Sequence, residues 1–341
     1  MNKASRIKPP RALIVAIPET AGSALYGMFD VLGACGNLWQ DLVGTEPSER
    51  LIEPAIVSTT KKSFRCGNGI PVSPDYGISD NPVADIVIVP EMWLGPNEHV
   101  DGRYPMLMKW LRDSYQRGAH LYSACSGSIM LAESGLLDNL NATSHWAYES
   151  LFRTCYPKVR FRSEANLVFA DNAGRLVTAG GATSWHDLAL HIISKHCGPA
   201  EAMKIAKAYL LKSHDEGQSP YASLVRANPH ADSVVRNCEE WLSDHYREGR
   251  CVSRVVEQAE IPERSLKRRF KEATGKTLID HVQGLRIEEA KNLLETTSKP
   301  VDRISSEVGY EQPAFFRRLF KRLTGVTPGQ YRRMFQPIFS K

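Results

Sequence analysis

The chain has 341 residues, of which 42% are hydrophobic, and this length suits two domains better than one. Its formal net charge is +5, but the charge is unevenly distributed. From Asp232 onward there are 21 Lys and Arg residues against 16 Asp and Glu residues, so this portion carries the whole excess. The pattern favours a nucleic-acid partner for the carboxyl-terminal part alone.

The seven cysteines are scattered and contain no Cys-x2-Cys pair, which indicates neither a disulfide framework nor a zinc site. Basic residues precede an apolar run at residues 12–17, but six apolar residues are too few for a signal peptide. No stretch reaches the length of a membrane span. We therefore expect a cytoplasmic protein without a membrane partner, a metal or a cofactor.

The first part of the chain alternates strand and helix patterns. Short apolar runs predict strands at residues 12–17, 52–59, 84–90 and 119–123, and periodic stretches predict helices at residues 25–32, 106–117, 127–133, 184–196 and 200–211. Short strands are also predicted at residues 69–72, 160–161, 167–169 and 176–178, with a hairpin turn at residues 171–174. The alternation predicts an α/β sandwich around a mostly parallel sheet.

Cys125 lies where the functional edge of such a sheet is expected, at the carboxyl end of a strand. The segment Tyr122-Ser-Ala-Cys-Ser-Gly127 passes from strand to helix, which is the arrangement of a nucleophile elbow. The helix end is expected to lower the pKa of the thiol.

Several further side chains fall on predicted loops at strand ends or helix starts. His145 is equally compatible with a ligand contact and with a half-buried structural role. The tryptophans are more often core residues, although several lining one cleft could hold a quaternary ammonium ion through cation–π contacts. The candidate ligand-binding residues are Cys125, His145, Trp146, Trp93, Thr183 and Trp185.

Residues 212–231 are polar and rich in helix breakers, so they are interpreted as a linker. Residues 232–245 then predict the helix that opens the second domain.

The last part of the chain contains an internal sequence repeat. Residues 265–277 align without a gap with residues 315–327, at a separation of 50 positions. Each copy predicts a helix-turn-helix: Pro262 suits the first turn of the first copy's second helix, and the corresponding helix of the second copy is expected to bury Phe316, Phe320 and Leu323. The uninterrupted helical pattern of residues 279–294 would hold the two copies apart. Identical pairs include Phe270/Phe320, Lys271/Lys321, Thr274/Thr324, Gly275/Gly325 and Thr277/Thr327, and basic side chains coincide at Lys267/Arg317 and Arg268/Arg318.

The predicted solvent face of each second helix is basic. A single helix of this kind is usually only a solvated charged surface. Two in register, each behind a short turn, favour insertion into the major groove, where Arg and Lys bond guanine and neutralise phosphates. The two faces consist of Glu263, Arg264, Lys267, Arg268 and Lys271, and of Gln312, Ala314, Arg317, Arg318 and Lys321.

These residues resemble the AraC/XylS-type DNA-binding domain, through Arg264-x-Leu-x-Arg268-x-Phe270 and the longer pattern from Ile304 to Arg332. The resemblance implies seven helices in two subdomains, with a linker helix that places two recognition helices in successive major grooves. This chain departs from the family at Pro262, where Ser is usual, and at Val256 and Ser305, where Ala is usual. The DNA contacts that the resemblance implies are Arg264, Lys267, Arg268, Gln312, Ala314, Arg317 and Arg318.

The segment around Cys125 resembles the ThiJ/PfpI (class I glutamine amidotransferase-like) superfamily. Residues 119–146 and 180–191 are similar to the sensor domain of GlxA-type AraC regulators. Related enzymes commonly have a His directly after the Cys, where this chain has Ser126, and an acid whose position falls here on Ala24. Glu19 could replace that acid, but nothing in the sequence brings it to the sulfur. An activated thiol needs an adjacent base or cation, so we expect a catalytically inactive domain and no enzyme.

The resemblance as a whole implies a transcription regulator, expected to be an activator, with a flavodoxin-like sensor and dimerisation domain (residues 1–211), a linker (residues 212–231) and an AraC-type DNA-binding domain (residues 232–341). Its expected partners are double-stranded promoter DNA, RNA polymerase, a second copy of the chain and a small effector that is amine-like or amino-acid-like. Two alternatives remain open. One is a PfpI-type thiol-dependent hydrolase or amidase that uses Cys125 and carries a DNA-binding appendage; the other is a first domain that only dimerises.

Overall fold

The structure is a computed structural model that describes residues 8–46, 49–95, 98, 100–223 and 232–336. Its tertiary contacts divide the chain into two compact units, the first ending at Gln218 and the second beginning at Ser219. Residues 224–231 of the predicted linker lie outside the described residues.

The first unit is built around β-strands, most of them in one sheet. The described strands are β1 (Arg11–Val15), β2 (Glu53–Ser58), β3 (Phe64–Cys66), β4 (Ile70–Val72), β5 (Tyr76–Gly77), β6 (Ile86–Val89), β7 (His120–Ala124), β8 (Asn141–Ala142), β9 (Arg160–Phe161), β10 (Leu167–Phe169) and β11 (Leu176–Ala179). The main sheet has the order β10-β11-β7-β6-β1-β2-β5, and its strands pair in parallel except for β10 and β11. The pairs β3–β4 and β8–β9 form two small sheets.

Helices cover both faces of the main sheet, which is why its strands are apolar on both sides: all four residues of β6 are buried. Along β1, Leu13 and Val15 belong to the core on one face of the sheet, whereas Ala12 and Ile14 belong to the core on the opposite face. The predicted α/β sandwich is therefore confirmed. The described helices of this unit are α1 (Gly22–Gly33), α2 (Leu38–Val43), α3 (Pro105–Gln116), α4 (Gly127–Glu133), α5 (Glu149–Cys155), α6 (Trp185–Cys197) and α7 (Pro199–Ala208).

The second unit is helical over its described residues and has two separate cores. The buried residues of one core lie between positions 235 and 282, and those of the other between positions 287 and 331. The long helix Leu278–Thr296 contributes Leu278 and Val282 to the first core and Ile287 and Leu294 to the second. The implied seven helices in two subdomains are thus present: α8 (Ser233–His245), α9 (Cys251–Gln258), α10 (Glu263–Thr274), α11 (Leu278–Thr296), α12 (Val301–Glu307), α13 (Pro313–Thr324) and α14 (Pro328–Phe335).

The sequence repeat corresponds to a repeated helix stop. In α10, Thr274 Oγ1 donates to the carbonyl of Phe270 at 2.7 Å, and in α13, Thr324 Oγ1 donates to the carbonyl of Phe320 at 2.8 Å. Each helix is then ended by a glycine in the left-handed region, with φ of 74° at Gly275 and 79° at Gly325. Two residues later a threonine caps the next helix, Thr277 at α11 and Thr327 at α14. The identical residues therefore encode the turn after each second helix.

Two details of the predicted repeat are wrong. Leu323, in the last turn of α13, is 40% exposed, and Leu319 (3% exposed) packs with Phe316 and Phe320 instead. Pro262 is the N-cap residue of α10 rather than part of its first turn, and it makes no side-chain capping bond. Pro313 does occupy the first turn of α13.

Within the described residues, no helix is long and apolar enough to cross a membrane.

Candidate functional site

Cys125 forms a strained elbow between β7 and α4. Its φ of 53° lies in the left-handed region, which is unfavourable for a residue with a Cβ atom. Gly127 is required two residues later, since a Cβ atom there would lie 2.2 Å from the carbonyl oxygen of Val89. Ser126 Oγ accepts from the backbone N–H of Met92 and donates to its carbonyl oxygen, both at 2.7 Å. The elbow is thereby fastened to the loop that follows β6.

That loop brings an acid to the sulfur which the sequence reasoning missed. The thiol of Cys125 donates to Oε1 of Glu91 over 3.7 Å. Glu91 follows β6 as Cys125 follows β7, and the two strands are parallel neighbours, so their carboxyl ends meet. In the sequence, the only indication of this acid was the position of Glu91 just after the predicted strand at residues 84–90. Glu19, the alternative acid, instead accepts from Tyr104 at 2.6 Å and pairs with Arg103 at 3.1 Å.

The environment of Cys125 keeps its thiol protonated. Burial, together with the nearby charge of Glu91, raises the pKa of the thiol well above its ordinary value. Burial also raises the pKa of the Glu91 carboxyl. The expectation that the helix end lowers the thiol pKa is thus wrong, because desolvation outweighs the end of a seven-residue helix. An activated nucleophile needs a lowered thiol pKa, so this arrangement does not activate Cys125.

The loop that carries His145 and Trp146 is joined to the elbow at Cys125. Ser144 Oγ donates to the carbonyl oxygen of Cys125 at 2.8 Å, which joins the loop to the elbow. The His145 ring lies 4.9 Å from the Trp146 ring and 6.1 Å from the Tyr148 ring, and its Nδ1 accepts from the backbone N–H of Ala147. Burial lowers the pKa of His145 below its ordinary value, which favours the neutral imidazole.

The other candidate ligand residues have different neighbours. Trp93 is 58% exposed and lies against Gly67, where a Cβ atom would come within 2.2 Å of Cδ1 of the indole. Thr183 is exposed at the short turn before α6. Trp185 packs against Gly27 of α1 and lines a cavity of about 520 Å³. This cavity is also lined by Asp30, His186, Tyr209, Lys212 and His214.

In the second unit, every implied DNA contact of the first helix-turn-helix is exposed on α10. Arg264, Lys267 and Arg268 lie on one solvent face, opposite the buried Leu266 and Phe270. Lys267 pairs with Glu263 at 2.5 Å and Arg268 with Glu272 at 3.0 Å, both within the helix. Such exposed pairs contribute only about 0.3–0.5 kcal/mol, so DNA phosphates can replace them.

The second helix-turn-helix presents the corresponding face on α13. Gln312, Ala314, Arg317 and Arg318 are all exposed. Arg317 pairs with Asp302 of α12, whereas Arg318 has no ion pair among the described residues. The separation of the two faces is set by α11, whose 19 residues span roughly 28 Å at 1.5 Å per residue.

Comparisons with known proteins agree with both halves of this description. Residues 37–195 match the sequence model of the DJ-1/PfpI family, and residues 255–334 match that of a helix-turn-helix domain. The HTH-type transcriptional regulator CdhR of Pseudomonas aeruginosa is 28% identical over 271 residues, 78% of this chain and 77% of the relative. The HTH-type transcriptional regulator GlxA of Rhizobium meliloti is 28% identical over 227 residues, 65% of this chain and 68% of the relative.

Two further similarities concern the first unit. The isonitrile hydratase of Pseudomonas putida is 28% identical over 187 residues, 53% of this chain and 69% of that enzyme, so related domains can be enzymes. A solved structure of a putative transcriptional regulator from Vibrio parahaemolyticus, 18% identical, covers 60% of this chain and all of that one with a TM-score of 0.50. That likeness shows the fold.

The fold and the comparisons therefore define a DNA-binding transcription regulator that joins a DJ-1/PfpI domain to an AraC-type helix-turn-helix domain. The chain is similar to the regulators CdhR and GlxA over most of its length.

Proposed function

We propose that the first unit is a catalytically inactive sensor that binds a small, positively charged metabolite beside Cys125, amine-like or amino-acid-like in its head group. The observation that carries the proposal is the carboxyl group of Glu91, which is partly buried beside Cys125 and has no cationic partner in the described part of the chain. An uncompensated buried acid is costly, and a ligand cation would offset that cost.

We propose that the effector regulates transcription by shifting the DNA-bound dimer between two conformations. A ligand shifts such an equilibrium only if it binds one conformation better than the other. We propose that the second unit binds promoter DNA through Arg264, Lys267, Arg268, Gln312, Ala314, Arg317 and Arg318, and that the bound protein recruits RNA polymerase as an activator. Residues 1–211, 212–231 and 232–341 are the proposed sensor, linker and DNA-binding regions.

Dimerisation is proposed to use the first unit. Exposed apolar side chains gather on the neighbouring helices α2 and α7, namely Leu42, Val43 and Met203. Apolar surface of this kind often marks an interface between protein chains. Sedimentation of the full chain tests this directly, since Leu42→Lys with Met203→Lys should shift a dimer to monomer.

The effector proposal is tested by thermal unfolding of the full chain with a panel of quaternary amines and amino acids. A ligand at 100 times its Kd stabilises by about 2.7 kcal/mol, which raises the Tm of a domain of this size by roughly 5–10 °C. Glu91→Gln should abolish the shift, and the exposed control Glu149→Gln should keep it. A charged hit that stabilises Glu91→Gln as well as the native chain would refute the role of Glu91.

The isonitrile hydratase similarity and the Glu91–Cys125 contact favour one second candidate, a thiol-dependent hydrolase or hydratase of the PfpI type. Cys125→Ser separates the two. A sensor should keep its promoter response after this substitution, whereas an enzyme should lose turnover of the ligand.

A further inference from the structure

Gln218 is deeply buried, although it lies in the polar stretch that the sequence analysis interprets as a linker. Only 4% of the residue is exposed. Its Oε1 accepts from the backbone N–H of Gly181 at 2.8 Å and from that of Trp146 at 3.2 Å. Its Nε2 donates to the carbonyl oxygens of Ser144 and Ala165, both at 2.8 Å. Because a side-chain amide offers two donors and two acceptor lone pairs, these four bonds saturate it.

The slot that holds this amide is formed by glycines. A Cβ atom at Gly180 would lie 2.4 Å from Cδ of Gln218, so any larger residue there would expel the side chain. Gly217 has a φ of 69°, and a Cβ atom on it would lie 2.4 Å from the carbonyl oxygen of Glu164. The backbone N–H of Gln218 donates to this same carbonyl at 3.0 Å. Both the slot and the approach to it therefore depend on residues without side chains.

Gln218 joins two adjacent loops, called here the effector loops: the first is bonded to the elbow of the proposed effector site, and a Cβ atom at Gly181 in the second would lie 3.4 Å from Cδ2 of His145 in the first. One runs through Ser144, His145 and Trp146, and Ser144 bonds the elbow at Cys125. The other begins at Gly180 and leads to Thr183 at the start of α6. Movement of either loop would change the two N–H···Oε1 distances, since the donors belong to Trp146 and Gly181.

The first residues after Gln218 belong to the second unit, and two of them, no more than four positions along the chain, contact its helices. The ring of Tyr221 lies 5.3 Å from that of Phe335 in α14. The carbonyl oxygen of Ala222 accepts from Nζ of Lys291, a buried lysine of α11 that also pairs with Glu288 at 2.9 Å. Only Ser219 and Pro220 separate the residue held by the sensor from residues held by the DNA-binding unit.

We propose that Gln218 is the positioning residue that couples the effector loops to the segment leading into the DNA-binding unit. An effector seated against His145 or Trp146 changes how firmly Gln218 is held in its slot, and the change is passed to the residues that contact α11 and α14. This inference rests on the proposed function of the first unit as a sensor.

The experiment uses the unliganded full chain and measures hydrogen exchange in peptides covering residues 143–148 and 213–223. Gln218→Ala and Gly180→Ala should each speed exchange in both peptides by about 10-fold or more, because a buried hydrogen-bonding group loses its partners. The double variant should be no worse than Gln218→Ala alone, since the freed space accepts the new methyl group. The exposed Gln116→Ala on α3 is the matched control and should exchange like the native chain.

Faster exchange confined to residues 213–223, or additive effects in the double variant, would overturn the coupling and leave Gln218 as a local anchor. If Gln218→Ala does not fold, Gln218→Asn carries the same prediction, since it withdraws the amide by one methylene. The exchange experiment needs no effector, so its outcome is independent of the effector-binding test. Either of the two experiments can fail while the other succeeds. Affinity for a non-specific duplex should be unchanged in all variants, which verifies that the DNA-binding unit is intact.

Discussion

Arg286, in the middle of α11, holds the two DNA-binding subdomains together although it is not on the proposed DNA surface. Its Nε donates to the carbonyl of Tyr246 at 2.6 Å and its Nη2 to that of Glu248 at 3.0 Å, both in the first subdomain. Its Nη1 donates at 2.8 Å to the carbonyl of Gly309, in the turn of the second helix-turn-helix. The guanidinium also lies 4.9 Å from the centre of the Tyr310 ring.

Replacement by methionine keeps the apolar stem and removes all the donors. A hydrogen bond from a charged donor contributes about 1.5–3 kcal/mol, but water can replace part of this at a partly exposed site. We therefore expect Arg286→Met to lose roughly 2–4 kcal/mol in total rather than the full sum. If the loss frees one subdomain relative to the other, affinity for a site spanning two grooves should fall by about 10- to 100-fold, or 1.4–2.8 kcal/mol.

The assay is fluorescence anisotropy of the full chain on duplexes selected by the native protein. One duplex carries the complete site and a second carries only one half of it. Arg286→Met should weaken binding to the complete site and leave the half-site affinity within about two-fold, because each recognition helix is intact. Arg236→Met removes an equal charge from an exposed position of α8 and is the control.

The reasoning is refuted if Arg286→Met binds the complete site as the native chain does. It is also refuted if the half-site and complete-site affinities fall together, because this would place the loss in the recognition helices themselves.

Three other predictions concern single side chains. Glu91→Gln should speed alkylation of Cys125 by iodoacetamide several-fold, because the lost charge lets the raised pKa of the thiol fall; an equally slow reaction, measured by mass spectrometry, would contradict this. The hydrogen bond from Arg269 lowers the pKa of Asp232 to about 2, so the pair stabilises the fold fully above the unfolded pKa of about 3.9 and loses this contribution as the pH falls through about 2. Asp232→Asn should cost about 0.5–1 kcal/mol in urea unfolding at pH 7 and progressively less as the pH falls through about 2. Gly309→Ala should destabilise by about 1–3 kcal/mol, given a φ of 89° and a Cβ position 2.4 Å from the carbonyl of Arg247, while Gly329→Ala should have little effect on the Tm.

Local patterns in the sequence predicted the elements of this fold well. The predicted helix at residues 127–133 coincides with α4, and the 50-residue repeat recurs as two 12-residue helices, α10 and α13, which end in the same Thr-Gly stop. These features depend on residues within one or two turns of each other, so the sequence alone contains them.

Features that depend on tertiary contacts were not predicted. Glu91 contacts Cys125 only because β6 and β7 are neighbouring strands. The order of strands in the sheet cannot be predicted from either segment alone. The predicted direction of the pKa shift of the Cys125 thiol was wrong because this shift depends on burial in the folded chain. Gln218 was assigned to the linker because its neighbours are polar, although its own amide is saturated inside the first unit.

Methylation interference on the operator tests the pairing of the two basic faces most directly. Methyl groups at guanine N7 block contacts from Arg in the major groove, so we predict two clusters of interference about 10 base pairs apart on one side of the duplex. Arg268→Ala should remove the dependence on one cluster and Arg318→Ala the dependence on the other. A single cluster, or two variants that affect the same cluster, would contradict the assignment of one recognition helix to each groove.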